Sequence, residues 1–187
     1  FTMGSDAADA KEMEQPAHKV TLSSFYIGKT EVAQGLFEKL MGWNHSYFPC
    51  ADCPVNNLSW LSANLFIKRL NTATGLTFSL PSEAQWEFAA KGGIQSKDYA
   101  YSGSNTIGDV AWYAGNANRR NHPTAQKQAN ELGLYDMTGN LWEFCLDDFK
   151  QGAYQREEIP TIDPVLIRKV DAKARTVKVI RGGAYEF

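Results

Sequence analysis

The clearest chemical signal in this 187-residue chain is a pair of carboxylates, Asp136 and Glu143. They lie in the run Gly133-Leu134-Tyr135-Asp136-Met137-Thr138-Gly139-Asn140-Leu141-Trp142-Glu143-Phe144. Hard cations such as calcium take carboxylate and backbone carbonyl oxygens in a flexible shell. Gly139, between the two carboxylates, lets the backbone fold so that its carbonyls turn toward an ion. The spacing is not that of an EF-hand loop. The competing reading is a polar turn packed under Trp142. In that case Asp136 and Glu143 accept hydrogen bonds from backbone amides or a nearby arginine.

The sulfur chemistry is sparse. There are three cysteines and three scattered histidines, His18, His45 and His122. A closed zinc site wants four Cys or His ligands, which this set does not supply at suitable spacing. Cys50-Ala51-Asp52-Cys53-Pro54 lies in a loop between two helix-like segments, not at the strand-to-helix junction of a thioredoxin motif. A short-range disulfide or two inert thiols is the expectation. Cys145, flanked by Phe144 and Leu146, is expected to be a buried thiol. Gly28-Lys29-Thr30 lacks the upstream glycine of a phosphate-binding loop, where Ser23 stands instead. There is no nucleophile elbow and no H-E-x-x-H. Asn44-His45-Ser46 and Asn57-Leu58-Ser59 are glycosylation sequons, relevant only in a eukaryotic secretory pathway.

The elements that must carry these residues read as mixed. Val20, Leu22, Phe25 and Ile27 suggest a strand kinked at Ser23-Ser24. A helix is expected from Thr30, as N-cap, to Gly42, burying Val32, Leu36, Phe37, Leu40 and Met41. A second runs from Ser59 to about Thr74, burying Leu61, Leu65, Phe66 and Leu70, with Gly75 as its stop. Ser82-Glu83-Ala84-Gln85 is a capping box that opens a third helix, closed by Gly92-Gly93. Residues 94–165 are rich in Gly, Asn, Asp, Tyr and Trp and show little periodicity. So long a loop asks for a function or a bound ion to organise it. Val177 and Val179 mark a late strand that enters the turn Arg181-Gly182-Gly183. Lys169, Lys173, Arg175 and Lys178 beside it read as a solvated face. Helices, a few strands and one long ordered loop give an α+β class.

Composition bounds the function. The formal net charge is -2, with 43% hydrophobic and 21% charged residues. That is a folded domain with no general electrostatic reason to bind nucleic acid or an anionic membrane. No apolar stretch approaches the ~18 residues of a membrane span. Residues 1–20 lack the apolar centre of a signal peptide. The length suits a single domain over 1–187, with truncation at both ends left open.

Several of these motifs together resemble the formylglycine-generating enzyme family, also called sulfatase-modifying factors. Phe1-Thr2-Met3-Gly4-Ser5 looks like the family opening, and Pro16 to Glu31 resembles its first strands. Pro54 to Trp60, followed by Ala63, resembles its second helix start. Leu80 to Gly93 resembles its most distinctive helix. Gly133 to Cys145, Asp163-Pro164 and Arg181-Gly182-Gly183 follow in the family order. The resemblance implies a C-type-lectin-like α+β fold with little regular secondary structure. It also implies calcium held by the Asp136 and Glu143 side chains and the Gly139 and Leu141 carbonyls. A second ion site in the family lies upstream, where residues 113–130 look shorter, and none is carried over.

The departures bear on activity. Family enzymes oxidise a sulfatase cysteine with oxygen and copper(I), held by two C-terminal cysteines as thiolates. Counting from Ala184, the first of these positions is Phe187, and the second lies beyond the chain. Ser79 stands where the family usually carries Arg. Copper is therefore not expected here. The leading expectation is a non-catalytic, exported bacterial member, periplasmic or extracellular, that binds an unknown ligand or protein partner. The alternative is a formylglycine-type oxidase, or an iron-dependent relative, with catalytic residues outside this chain. No histidine cluster for iron is present, which counts against the relative.

Overall fold

The computed structural model describes residues 1–155, 160–168 and 176–187. Among the described residues the strands and α-helices are β1 Thr2–Met3, β2 His18–Lys19, α1 Gln34–Met41, α2 Trp60–Thr74, α3 Glu83–Ala90, α4 Ile107–Val110, β3 Glu143–Asp148 and β4 Lys178–Arg181. β1 and β2 pair antiparallel, with Met3 opposite His18. β3 and β4 pair antiparallel with Glu143 opposite Arg181 and Phe144 opposite Ile180, and the register shifts before Asp148 meets Lys178. The expected α+β class holds.

The helix stops form as expected. Gly42 and Gly75 take left-handed φ values of 78° and 70° and donate back to Glu38 and Asn71. At those angles a Cβ would be strained. Ser59 caps α2 by accepting the Ser62 amide. The Ser82–Gln85 capping box closes in both directions, at 3.1 Å and 2.9 Å.

Two helix faces differ from the sequence expectation. α1 begins after Ala33 rather than at Thr30, and no side chain caps it. The reason is that residues 31–33 are used as an extended segment. The Val32 carbonyl accepts from Val55, and Ala33 bridges Pro54. Val32 and Leu36 are consequently exposed, while Gln34 is fully buried. Its side chain accepts from Asn44 and the Cys50 amide and donates to the Phe48 and Pro54 carbonyls, so one polar residue organises the whole 44–54 loop. In α2, Leu61 and Leu65 are exposed. The buried face runs through Phe66, with Ile67 and Leu70 partly buried, and packs on Phe37 and Met41. Phe37 stacks on Phe66 at 5.3 Å and meets Trp43 edge-on at 5.0 Å. Burying each such ring contributes about 1.5–3 kcal/mol.

The strand expected over Val20–Ile27 is not a strand. Past the bridge Thr21–Ile162, residues 22–28 join no ladder. The Ser23 amide and hydroxyl are taken by the Asp163 carboxylate at 2.7 Å and 2.6 Å, so a side chain replaces the ladder. The long loop also contains regular pieces that periodicity did not show, α4 and β3. Lys169, Lys173 and Arg175 lie outside the described residues. Lys178 is not a solvated charge: it pairs with Asp148 at 2.8 Å and sits over the Trp60 ring.

A central cluster of Trp86, Ala89, Leu134, Met137, Cys145 and Val179 joins α3 to the β3–β4 hairpin. Met137 and Cys145 of that cluster flank the turn that leads into β3.

Candidate functional site

The turn is built by backbone angles that few residues adopt. Asp136 and Asn140 both hold φ in the left-handed region, at 61° and 66°. Asp and Asn tolerate that region better than other non-glycine residues. Gly139 is required for space: a Cβ there would lie 2.4 Å from the Trp112 carbonyl oxygen. The Asn140 amide donates to that same carbonyl. Trp112 is itself stacked flat on His122 at 3.8 Å, which fixes the wall behind the turn.

Each expected site residue can now be placed. Asp136 is 2% exposed. Its Oδ2 accepts from the Ala125 amide at 2.8 Å. Its Oδ1 is buried without a hydrogen-bond partner. Glu143 is not in the turn but is the first residue of β3, half-buried. A methylene placed at Gly182 would meet the Leu141 carbonyl oxygen at 3.6 Å and Glu143 Oε1 at 3.8 Å. Those two oxygens therefore face one small space beside the Gly182 backbone. No hydrogen bond from the described residues reaches the Gly139 or Leu141 carbonyl. The backbone-amide alternative thus describes one oxygen of Asp136. No arginine pairs with either carboxylate among the described residues. Arg181, opposite Glu143 in the hairpin, turns instead to Glu83 and Glu87 at 3.1 Å and 2.8 Å.

A third carboxylate joins them, and the sequence reading missed it. Glu31 Oε1 accepts from the Leu141 amide at 3.0 Å, and Oε2 accepts from the Asn140 side chain at 2.9 Å. Burial, then Glu143 and Asp136, push the Glu31 carboxyl well above its ordinary range, although its two amide donors pull it down. Burial likewise raises Asp136, against the pull of the Ala125 amide. Glu143 is pushed up to about 7, by burial first and by Asp136 in addition. The Trp86 indole N–H pulls it down, yet closes no hydrogen bond of good geometry. Three acids sharing low-dielectric space repel one another and hold protons unless a cation intervenes.

The donor types here are those that a hard divalent ion takes. The arrangement offers an unpartnered buried carboxylate oxygen, a second carboxylate, and free main-chain carbonyls on a tight turn, which is the donor chemistry calcium selects. Among the described residues no three His, Cys, Asp or Glu side chains form a metal shell by themselves. The set depends on the backbone oxygens.

The thiols are spoken for. Cys50 and Cys53 form a disulfide, Cα–Cα 5.2 Å. Cys145 is fully buried, and burial pushes its thiol far up. Phe187 is 71% exposed and meets Trp142 edge-on at 5.7 Å. Next to it Tyr185 meets Phe48, and Tyr47 is exposed. A band of aromatic side chains therefore flanks the turn.

The family model for the sulfatase-modifying factor enzyme 1-like domain matches residues 1–187. A chaperone protein LppX of Paenibacillus barcinonensis is 34% identical over 176 residues, covering 67% of this chain and 63% of that protein. A formylglycine-generating enzyme of Streptomyces coelicolor is 30% identical over 144 residues, covering 71% of this chain and 42% of the enzyme. The chain thus spans less than two thirds of the length of these curated relatives. Among solved structures, Treponema denticola variable protein 1 superposes with a TM-score of 0.83 at 27% identity, covering 100% of this chain and 81% of that one. PvdO from Pseudomonas aeruginosa superposes at 0.79 and 22% identity, covering 99% and 78%, which speaks to the fold alone. On the match across residues 1–187, the chain belongs to the sulfatase-modifying factor, or formylglycine-generating enzyme, family.

Proposed function

We propose that this chain is a ligand- or partner-binding domain of its family, without the copper oxidase centre. One observation carries the reading. Its three cysteines are a disulfide pair and one fully buried thiol, while exposed Phe187 stands where the first copper cysteine is expected. Copper(I) needs soft thiolate ligands, and residues 1–187 offer no pair of them. The oxidase reading would place both thiolates outside this chain. Exposed Tyr47, Phe48, Trp142 and Phe187 supply aromatic contact area, the kind of surface enriched at binding interfaces. The likeness to a relative named as a chaperone protein supports a protein as the occupant. The Cys50–Cys53 disulfide suits an exported, oxidising setting. Among the described residues no helix is long and apolar enough to cross a membrane.

The same reading gives calcium a structural role. Asp136, Glu143 and the Gly139 and Leu141 carbonyls would hold it, and its charge would relieve the repulsion among the acids. The turn would then anchor the long loop to α3 and the β3–β4 hairpin.

Copper(I) titration against a chromogenic chelator tests the absence of a thiolate site. The expected result is no stoichiometric capture, together with no thiol labelling until the protein is denatured. Tight capture of one copper ion per chain would move the assignment to the oxidase.

A further inference from the structure

We infer that Glu31 is the positioning residue of the cation site: its carboxylate holds the Leu141 amide and the Asn140 side chain, and so fixes the stretch of turn from which the Leu141 carbonyl would reach the ion. This rests on the calcium reading above and assigns a role to a residue that lies outside the 136–143 motif.

Glu31 is not placed as a ligand. Both of its oxygens already accept hydrogen bonds, one from the Leu141 amide and one from the Asn140 side chain. Those two donors belong to adjacent residues of the turn, so one planar carboxylate fixes both. Asn140 is fully buried, and its other contacts extend the clamp. Its Oδ1 accepts from the His122 amide, its Nδ2 also reaches the His122 carbonyl, and its own carbonyl accepts from Tyr185. Glu31 itself stands on a rigid mount. The residues after it are tied to the disulfide loop through Val55 to Val32, Gln34 to Cys53 and the bridge from Ala33 to Pro54. This is why α1 starts late: residues 31–33 are held extended.

Charge makes the same argument. Among the described residues no Lys, Arg or His pairs with Glu31, Asp136 or Glu143. A buried anion without a partner is costly. A divalent ion beside Asp136 and Glu143 supplies the missing positive charge, and an anion one layer behind the ligands raises its affinity. Groups that orient metal ligands from behind are worth about 10–100-fold in affinity.

A purely architectural clamp would behave differently, and calcium titration separates the two. Wild type, Glu31→Gln, Glu31→Asp and Glu143→Gln are titrated with calcium by calorimetry, and with terbium by tryptophan-sensitised luminescence. Wild type is expected to bind one ion and Glu143→Gln none. A glutamine cannot accept on both of its terminal atoms, so Glu31→Gln should weaken binding about 10–100-fold. Glu31→Asp, charged but shorter, should fall between. The melting deficit of Glu31→Gln should be larger in calcium than in chelator. Unchanged affinity in Glu31→Gln, with an equal deficit in both media, overturns the positioning role while leaving the calcium site in place. Wild type that fails to bind calcium overturns both. If Glu31→Gln does not fold, Glu31→Asp decides, and wild-type affinity in that variant counts against the proposal.

Discussion

Arg181→Met is expected to destabilise the protein by about 3–5 kcal/mol, the cost of removing one partner from a buried ion pair. The guanidinium bridges Glu83 and Glu87, packs over the Trp86 ring, and stands opposite Glu143 in the hairpin. Glu87 also holds Lys91 and the Gly4 amide, so the network ties α3 to β4 and to the N-terminal strand. Burial raises Glu87, but Arg181, Lys91 and Gly4 together outweigh it and hold the carboxyl below its usual value. The pH dependence follows from that sign. A depressed carboxylate stabilises above its unfolded value of 4.5 and loses that contribution as pH falls through the folded one. Glu83 is raised by burial even beside Arg181, and removing the guanidinium takes a downward pull from both acids, so both bind protons more readily in the folded variant. The deficit of the variant relative to wild type should therefore shrink between pH 7 and pH 4. Denaturant melts at several pH values read this directly. A loss below about 1 kcal/mol would identify an exposed pair of little weight.

Chelation should have the second large effect. Calcium at one hundred times its dissociation constant adds about 2.7 kcal/mol to the folded state by mass action. For a chain of this size that corresponds to about 5–10 °C in melting temperature. Removing calcium should lower the melt by that amount, and Glu143→Gln should be insensitive. Glu31, Asp136 and Glu143 are all raised by burial in the ion-free protein, Glu143 to about 7. A raised acid binds more protons folded than unfolded between its two values, so stability falls as pH rises through that window. For Glu143 the window runs from 4.5 to about 7. In chelator the protein should melt higher at pH 5.5 than at pH 8, and calcium should remove most of that slope. An identical melt with and without chelator at pH 8 would leave the acids satisfied without an ion.

What the sequence made legible was local. The Ser82–Gln85 box and the Gly42 and Gly75 stops depend on neighbouring residues, and all three formed. The buried faces of α1 and α2 were less readable, because Leu36, Leu61 and Leu65 fit a helical stripe as well as Phe37 and Phe66 do. Only the contact between the helices decides which phase is covered. The strand at Val20–Ile27 failed for a related reason: its alternation is real, but the partner is the Asp163 side chain, far away in sequence. At the candidate site, Asp136, Gly139, Leu141 and Glu143 lie within eight consecutive positions, so the motif was visible. Glu31 joins them only through the fold, and the four partners of buried Gln34 likewise lie 10 to 20 positions away from it.

The role proposed for residues 1–187 is binding without the family's oxidation. Incubating the purified chain with a sulfatase-motif peptide, copper(I) and oxygen, and following the intact mass of the peptide, tests it most directly. The peptide cysteine is expected to stay unchanged however long the incubation, since exposed Phe187 offers no thiolate and Cys145 is buried. Copper-dependent conversion of that cysteine to the aldehyde, over multiple turnovers, would contradict it.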